Sequence, residues 1–142
     1  MMSVQTEMTP AKSTSEPLES FRRIRGERLV DRFYDEFLKA DPRIVSLFEQ
    51  TDAAHQKRML QHGLLMMLSF ALGDSVSKLA IKRLGQRHHV ELEIPVELYQ
   101  PFVDSLMKSV ASLDPEWSPR LDRAWREHLS IGITEMKRYA KS

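Results

Sequence analysis

The spacing of apolar residues constrains the fold of this chain more than any other feature. From Pro17 onward, apolar positions recur at intervals of three and four, and no segment alternates with a period of two. Apolar residues at that spacing lie along one side of an α-helix. The pattern therefore predicts an all-α domain of six or seven helices over residues 17–142, preceded by a flexible, Ser- and Thr-rich leader at residues 1–16.

Capping residues and prolines divide the domain into helices. The sequence predicts a short helix at 42–48, a longer one from 52 to about 72, one from 75 to about 89, one from 95 and a last one from 119 to about 139. The 52–72 helix is apolar on several faces, so we expect it to be deeply buried. On the last helix, His128 lies on the inward stripe, where a hydrogen-bonded core histidine is expected.

Composition excludes several classes of protein. The chain has 142 residues, which suits one domain, and a formal net charge of +1, which gives no reason to expect nucleic acid or a membrane as partner. It has no cysteine, so disulfides, thiolate metal sites and cysteine catalysis are excluded. The sequence shows no signal peptide, membrane span, phosphate-binding glycine loop or hydrolase motif, and a cytoplasmic location is the expectation.

His88 is the first candidate for chemistry. It extends an apolar stripe at four-residue steps that comprises Val76, Ala80, Leu84 and His88. A neutral imidazole is a good iron ligand, and haem proteins commonly use one axial histidine. His89, about 100° further round the helix, is the competing ligand. Spacing alone also fits a half-buried histidine stabilised by the helix dipole.

Two polar residues on apolar helix faces are candidates for contacting a small ligand. The Tyr34 hydroxyl, in an early aromatic stripe, would donate either to such a ligand or to a backbone carbonyl. Gln56 begins a face that continues through Leu60, and its amide needs a partner or solvent. His55 and His62 on the same helix are alternatives for this role.

Three segments resemble parts of one family in order and spacing. They are RFYDEFLKADPRIVSLF (32–48), QTDAAHQKRMLQHG (50–63) and LGQRHHVELEIPVELY (84–99), followed by AWREHL around Trp125. Together, over residues 18–136, they resemble the bacterial single-domain globins. The short first helix is similar to that of truncated globins, but the glycine pairs of truncated globins are absent.

The resemblance implies a globin-like fold with a short first helix and a haem b cofactor, iron protoporphyrin IX. It makes His88 the proximal iron ligand and places Tyr34 and Gln56 on the distal, ligand-binding side. Arg87 would pair with a haem propionate. The residues that the resemblance implies for cofactor contact are Phe48, Leu60, Arg87, Ile94, Tyr99 and Phe102.

The resemblance also implies a function. A globin of this kind would bind O2, NO or CO at the haem iron, for oxygen binding or sensing or for NO detoxification. Enzymatic turnover such as NO dioxygenation would need a separate reductase, because these 142 residues contain no flavin or nicotinamide domain. A monomer and a homodimer are both compatible with the sequence. The alternative is a haemless helical sensor or protein-interaction domain.

Overall fold

The computed structural model describes residues 15–140, and every regular element in that range is helical. Seven α-helices are present there, which confirms the all-α prediction and the predicted helix number. The predicted leader lies almost entirely outside the described residues. The helices are α1 (Glu16–Ile24), α2 (Gly26–Phe37), α3 (Pro42–Phe48), α4 (Ala53–Ala71), α5 (Ser75–Gln86), α6 (Tyr99–Leu113) and α7 (Pro119–Lys137).

Four helix starts follow the predicted caps, whereas α6 begins at Tyr99 rather than at the predicted Pro95, after a 3-10 turn at Val96–Leu98. At the start of α3, the Asp41 carboxylate accepts a hydrogen bond from the Arg43 backbone N–H at 2.8 Å, and Pro42 occupies the first turn. Side-chain oxygens cap α4, α5 and α7 in the same way, because they accept bonds from otherwise unpaired N–H groups. These caps belong to Asp52, Asp74 and Ser118.

The core lies where α4 packs against α5 and α7, and where α2 packs against α6. Each helix that meets there contributes side chains that are fully removed from solvent. Such a side chain contributes roughly 1.5–3 kcal/mol of hydrophobic stabilisation relative to an exposed one. The completely buried members include Leu29, Leu64, Leu68, Ile81, Leu106, Trp125 and Leu129.

The prediction that α4 is deeply buried holds for only its second half. Leu64 and Leu68 are fully buried, but Met59 is 48% exposed and Leu60 is half-buried. The C-terminal half of α4 is covered because α7 crosses it closely at Gly132, where an added Cβ would come within 2.9 Å of a Met67 side-chain atom. The first half of α4 is left with apolar surface that the protein itself covers only in part.

The buried face of α5 is one residue away from the predicted stripe. Ser77 and Ile81 are fully buried, whereas Val76, predicted to face inward, is 77% exposed. Packing against α7 sets this orientation, because a Cβ at Gly85 would lie 2.9 Å from the Met136 Cα and only glycine permits that approach. The rest of the predicted stripe, up to His88, therefore lies on a half-buried flank of the helix.

An ion pair between Arg23 and the buried Asp114 joins α1 to the corner between α6 and α7. The Arg23 guanidinium donates to both oxygens of Asp114 at 2.8 and 2.7 Å, and the Ser20 hydroxyl donates to the same carboxylate. Burial alone would raise the pKa of Asp114, but these hydrogen bonds bring it below its ordinary value. The carboxylate thus stays charged inside the protein.

Within residues 15–140, no helix is long and apolar enough to cross a membrane.

Candidate cofactor site

Helices α4 and α5 meet along the faces that carry the predicted site residues. A Cβ at Gly63 would lie 3.7 Å from the Leu84 Cδ2, and the Met66 sulfur lies 3.8 Å from the Ser77 hydroxyl. These contacts fix the register of the two helices. They show that the α4 face carrying Gly63 and the α5 face carrying Leu84 are turned toward each other.

Beyond this contact, the same two faces carry the residues predicted for the two sides of a cofactor. Leu60 and Gln56 lie one and two turns before Gly63, and His88 lies one turn after Leu84. All three side chains are half-buried. Partial burial on facing apolar walls is the arrangement expected for surface that a flat apolar cofactor would cover.

The ring of His88 has a defined orientation. Its Nδ1 lies 2.9 Å from the Leu84 carbonyl oxygen, so Nδ1–H donates and Nε2 keeps its lone pair. Burial lowers the pKa of His88 below its ordinary value, which favours the neutral imidazole. A neutral ring with Nε2 available is the form that binds metals, and a backbone carbonyl on the other nitrogen is the usual orienting partner.

The backbone widens into a π-helical turn at Arg87–Glu91, immediately around His88. The Leu92 N–H donates to the Arg87 carbonyl at 2.9 Å, and the Ile94 N–H donates to the His88 carbonyl at 2.7 Å. Such turns are rare and occur frequently at functional sites. Both the ring and the backbone carbonyl of His88 are therefore held by hydrogen bonds.

His89 occupies a different environment from its neighbour. It is only 3% exposed, and its Nε2 lies 2.7 Å from the Tyr99 hydroxyl. The side chain therefore belongs to the core, where Tyr99 engages the nitrogen that a metal would need. This geometry favours His88 over His89 as an iron ligand. The sequence could not reveal the His89–Tyr99 pair, because it depends on the π-helical turn.

Tyr34 lies in an aromatic cluster that joins α2, α3 and α6. Its ring packs edge-on against Phe33 and Phe48, with centroids 5.2 and 5.5 Å away. Phe102, predicted to contact the cofactor, packs against Phe33 and Phe37, with ring centroids 5.2 and 5.9 Å away. The structure therefore brings three predicted site residues, Tyr34, Phe48 and Phe102, into one cluster.

The hydroxyl of Tyr34 is available as a hydrogen-bond donor. Burial raises its pKa to about 12, so it stays protonated near neutral pH. In the described part of the chain, no hydrogen bond uses this hydroxyl. Of the candidates on α4, Gln56 is half-buried while His55 and His62 are exposed. The exposure pattern favours Gln56 for the distal role.

Two other predicted contact residues lie at the edge of this region. Arg87 is exposed and its guanidinium pairs with Glu91 at 3.1 Å, a contact between solvated groups that is worth little. Ile94 is half-buried beside the π-helical turn.

The prediction for His128 was wrong in one respect. The residue is buried, at 1% exposure, but neither ring nitrogen has a hydrogen-bond partner among the described residues. The indole Nε1 of Trp125, one turn earlier on the same helix, is likewise buried without a partner among the described residues.

These observations define the class: an all-α domain with one oriented, available imidazole and a half-buried apolar face opposite it. The family model described as Globin matches residues 31–136. The crystal structure of protein PA3967 from Pseudomonas aeruginosa PAO1, described as structurally highly homologous to a human hemoglobin, is similar to this chain. The TM-score is 0.82 at 32% sequence identity, and the match covers 91% of this chain and 98% of that one. No curated protein matches the chain. The chain belongs to the globin family.

Proposed function

We propose that this globin binds haem b through His88 and uses the cofactor to bind a diatomic gas. The observation that carries the proposal is the hydrogen bond from His88 Nδ1 to the Leu84 carbonyl, which leaves Nε2 available on a half-buried flank. Within residues 15–140, no three His, Asp or Glu side chains form a metal site of their own. An iron held through His88 would therefore need the other ligands that a porphyrin provides.

The residues present fit this cofactor. Leu60 and Leu84 provide partly buried apolar surface on the two facing helices, and Phe48 and Ile94 do so from α3 and from the segment before α6. When bound, haem supplies an iron centre that coordinates diatomic gases and exchanges electrons. The protein supplies an apolar surrounding that excludes water, one fixed ligand and hydrogen-bond donors.

Each polar residue has a separate task in this proposal. His88 holds the iron with a neutral imidazole whose direction is set by the Leu84 carbonyl. The Tyr34 hydroxyl and the Gln56 amide are donors that would stabilise a gas ligand bearing partial negative charge. Each bond would contribute about 1 kcal/mol or more away from water, and 1.4 kcal/mol corresponds to tenfold in affinity.

The family also includes proteins that turn over their ligand, and NO detoxification is the second candidate for this chain. The half-buried, protonated Tyr34 hydroxyl serves either function, since it would retain bound oxygen for storage or for reaction with NO. Turnover needs electrons from a separate reductase. NO consumption assayed with and without a reductase system distinguishes the two functions. For either function, we propose that the protein acts in the cytoplasm.

An absorption spectrum of the protein reconstituted with hemin tests the proposal. We expect a Soret band that is lost or strongly altered in His88→Ala and retained in the matched variant His89→Ala. A band that survives in His88→Ala and disappears in His89→Ala would move the ligand to His89. If the wild-type protein gives no band with added hemin, the haem proposal is wrong, and a haemless helical domain remains.

A further inference from the structure

The outer surface of α5 carries a concentration of positive charge that the chain as a whole lacks. Residues 75–90 contain no Asp or Glu, although the formal net charge of the protein is only +1. The cations of this segment are exposed. They are Lys78, Lys82, Arg83 and Arg87.

Three of these cations have no ion-pair partner. Arg87 is paired with Glu91, but Lys78, Lys82 and Arg83 form no salt bridge with any residue in the described range 15–140. Like charges four residues apart, as in Lys78 and Lys82, slightly destabilise a helix. The cluster therefore does not stabilise α5. We call Lys78, Lys82 and Arg83 the α5 cationic face.

Apolar surface lies beside the α5 cationic face. Leu79 is 51% exposed between the cations, and Val76 is 77% exposed one turn earlier. Leu79 and Tyr139 line a groove of about 340 Å³ between α5 and the end of α7, together with the unpaired Lys78 and Lys82 and the ion-paired Glu135 and Arg138. An apolar centre bordered by charged groups is the usual composition of a protein-docking surface.

We propose that the α5 cationic face docks an acidic protein that donates electrons to this globin. Charge complementarity selects a partner whose contact surface is rich in carboxylates. We favour a protein over an anionic bilayer because the groove is concave and accepts side chains, whereas a bilayer is flat. This inference rests on the proposed haem function for its electron transfer, but not for docking itself.

The location suits electron transfer. Arg83 and Lys78 lie five and ten residues before His88 in the same helical segment, so a docked partner would lie roughly 8–15 Å from the iron ligand along the helix axis. The donor, a flavin or iron–sulphur protein, would lose one electron and ferric iron would gain it. No bond is made or broken, and no proton needs to move.

The test uses a reduced plant-type ferredoxin, a strongly acidic iron–sulphur protein, as the probe. Stopped-flow absorbance follows reduction of the ferric holoprotein, first at low salt and then at 0.2 M salt. We expect the rate to fall roughly tenfold with salt and by a similar factor in the triple variant K78E/K82E/R83E at low salt. Reduction by dithionite, a small anion that needs no docking surface, should differ less between wild type and K78E/K82E/R83E than reduction by ferredoxin does.

A charge-matched control separates docking from net charge. The triple variant R28E/K39E/R123E changes the charge by the same amount at exposed positions away from α5 that form no salt bridge with any residue in the range 15–140. It should keep at least half of the wild-type rate. Equal slowing in both triple variants, or no effect of salt, would overturn the proposal.

A binding measurement tests whether ferredoxin docks on α5 independently of whether the protein binds haem. Oxidised ferredoxin titrated into the ¹⁵N-labelled globin, with or without haem, should shift α5 amides in wild type but not in K78E/K82E/R83E. If these shifts occur while hemin does not bind, docking stands and the haem proposal fails. The docking proposal would be overturned if ferredoxin caused no chemical-shift changes in the α5 amides. It would also be overturned if the α5 cationic face bound phosphatidylglycerol vesicles and not ferredoxin.

Discussion

His88 and His89 are neighbours in the chain, yet burial and hydrogen bonding give them different properties. His88 is half-buried, and a backbone carbonyl holds its Nδ1, whereas Tyr99 engages the Nε2 of the buried His89. Burial lowers the pKa of both side chains. The availability of Nε2, rather than the protonation state, therefore distinguishes the two histidines as ligands.

Removing the Tyr34 hydroxyl should accelerate release of bound oxygen. In Tyr34→Phe the ring contacts with Phe33 and Phe48 persist, but the donor is lost. We expect the oxygen dissociation rate to rise about tenfold, corresponding to about 1.4 kcal/mol. Stopped-flow replacement of bound oxygen by CO measures this dissociation rate. Tyr139→Phe, at the α5–α7 groove, is the control and should change the rate less than twofold.

His128 should make the protein sensitive to acid. Burial lowers its pKa, so the folded state keeps it neutral while the unfolded state takes up a proton below its ordinary pKa of about 6.5. The stability linked to this residue is therefore present above about pH 6.5 and is lost as pH falls below it.

The variant His128→Leu should reduce this pH dependence. Urea unfolding of the haem-free protein at pH 7.5 and pH 5 should show a smaller drop in midpoint than in wild type. The exposed His62→Leu is the matched control and should behave as wild type does. An unchanged drop in His128→Leu would show that other groups cause the acid sensitivity.

At the scale of helices, two glycines show how close packing sets orientation. A Cβ at Gly85 would lie 2.9 Å from the Met136 Cα, whereas one at Gly63 would meet Leu84 at an ordinary 3.7 Å. Gly85→Ala should therefore destabilise the protein by about 1–3 kcal/mol, because a backbone must move. Gly63→Ala should be neutral or stabilising by up to about 1 kcal/mol, since alanine favours helix.

Urea unfolding of both glycine variants checks this prediction. The two substitutions add the same methyl group inside a helix, so any difference between them reports the local contact. Equal stabilities for the two variants would contradict the close α5–α7 approach that turns His88 onto its half-buried flank.

The ion pair between Arg23 on α1 and the buried Asp114 at the α6–α7 corner should be costly to break. Asp114→Ala leaves the Arg23 guanidinium and the buried Ser20 hydroxyl without their partner. We expect a loss of about 1.5–3 kcal/mol in the free energy of unfolding, because hydrogen bonds to a charged group are lost. Arg120→Ala, which breaks an exposed pair with Glu16, should cost less than about 1 kcal/mol.

The stability that the Asp114–Arg23 ion pair contributes should decrease as the pH falls. The folded pKa of Asp114 is lowered, so its contribution is present above the unfolded value of about 4 and is lost as pH falls below that. Chemical unfolding between pH 3 and 7 should therefore show a steeper acid loss in wild type than in Asp114→Ala. Parallel curves would contradict this assignment.

At the scale of the whole molecule, cofactor binding should raise stability. The first half of α4 and the segments around it leave large apolar side chains exposed, among them Met59, Val45, Leu47 and Leu92. A ligand that binds only the folded state adds about 4 kcal/mol at a concentration a thousand times its Kd. We expect hemin to raise the Tm of wild type by several degrees, and of His88→Ala by less. Equal increases would indicate binding that does not depend on His88.

The sequence by itself determined the helical class and most of the helix starts. These features depend on local physics: apolar spacing selects the helix, and residues such as Asp41 and Asp52 satisfy the free N–H groups of its first turn. The order and spacing of residues also indicated the resemblance to globins over residues 18–136. The match to the Globin family model confirms this prediction.

The tertiary structure alone decided which face of each helix is buried. The predicted stripe through Val76 was one residue away from the buried face, because the close approach at Gly85, a long-range contact, rotates α5. The sequence also could not predict that His89 pairs with Tyr99, or that the ring nitrogens of His128 have no hydrogen-bond partner among the described residues. Spacing along a helix fixes which residues share a face, but only packing against other helices fixes where that face points.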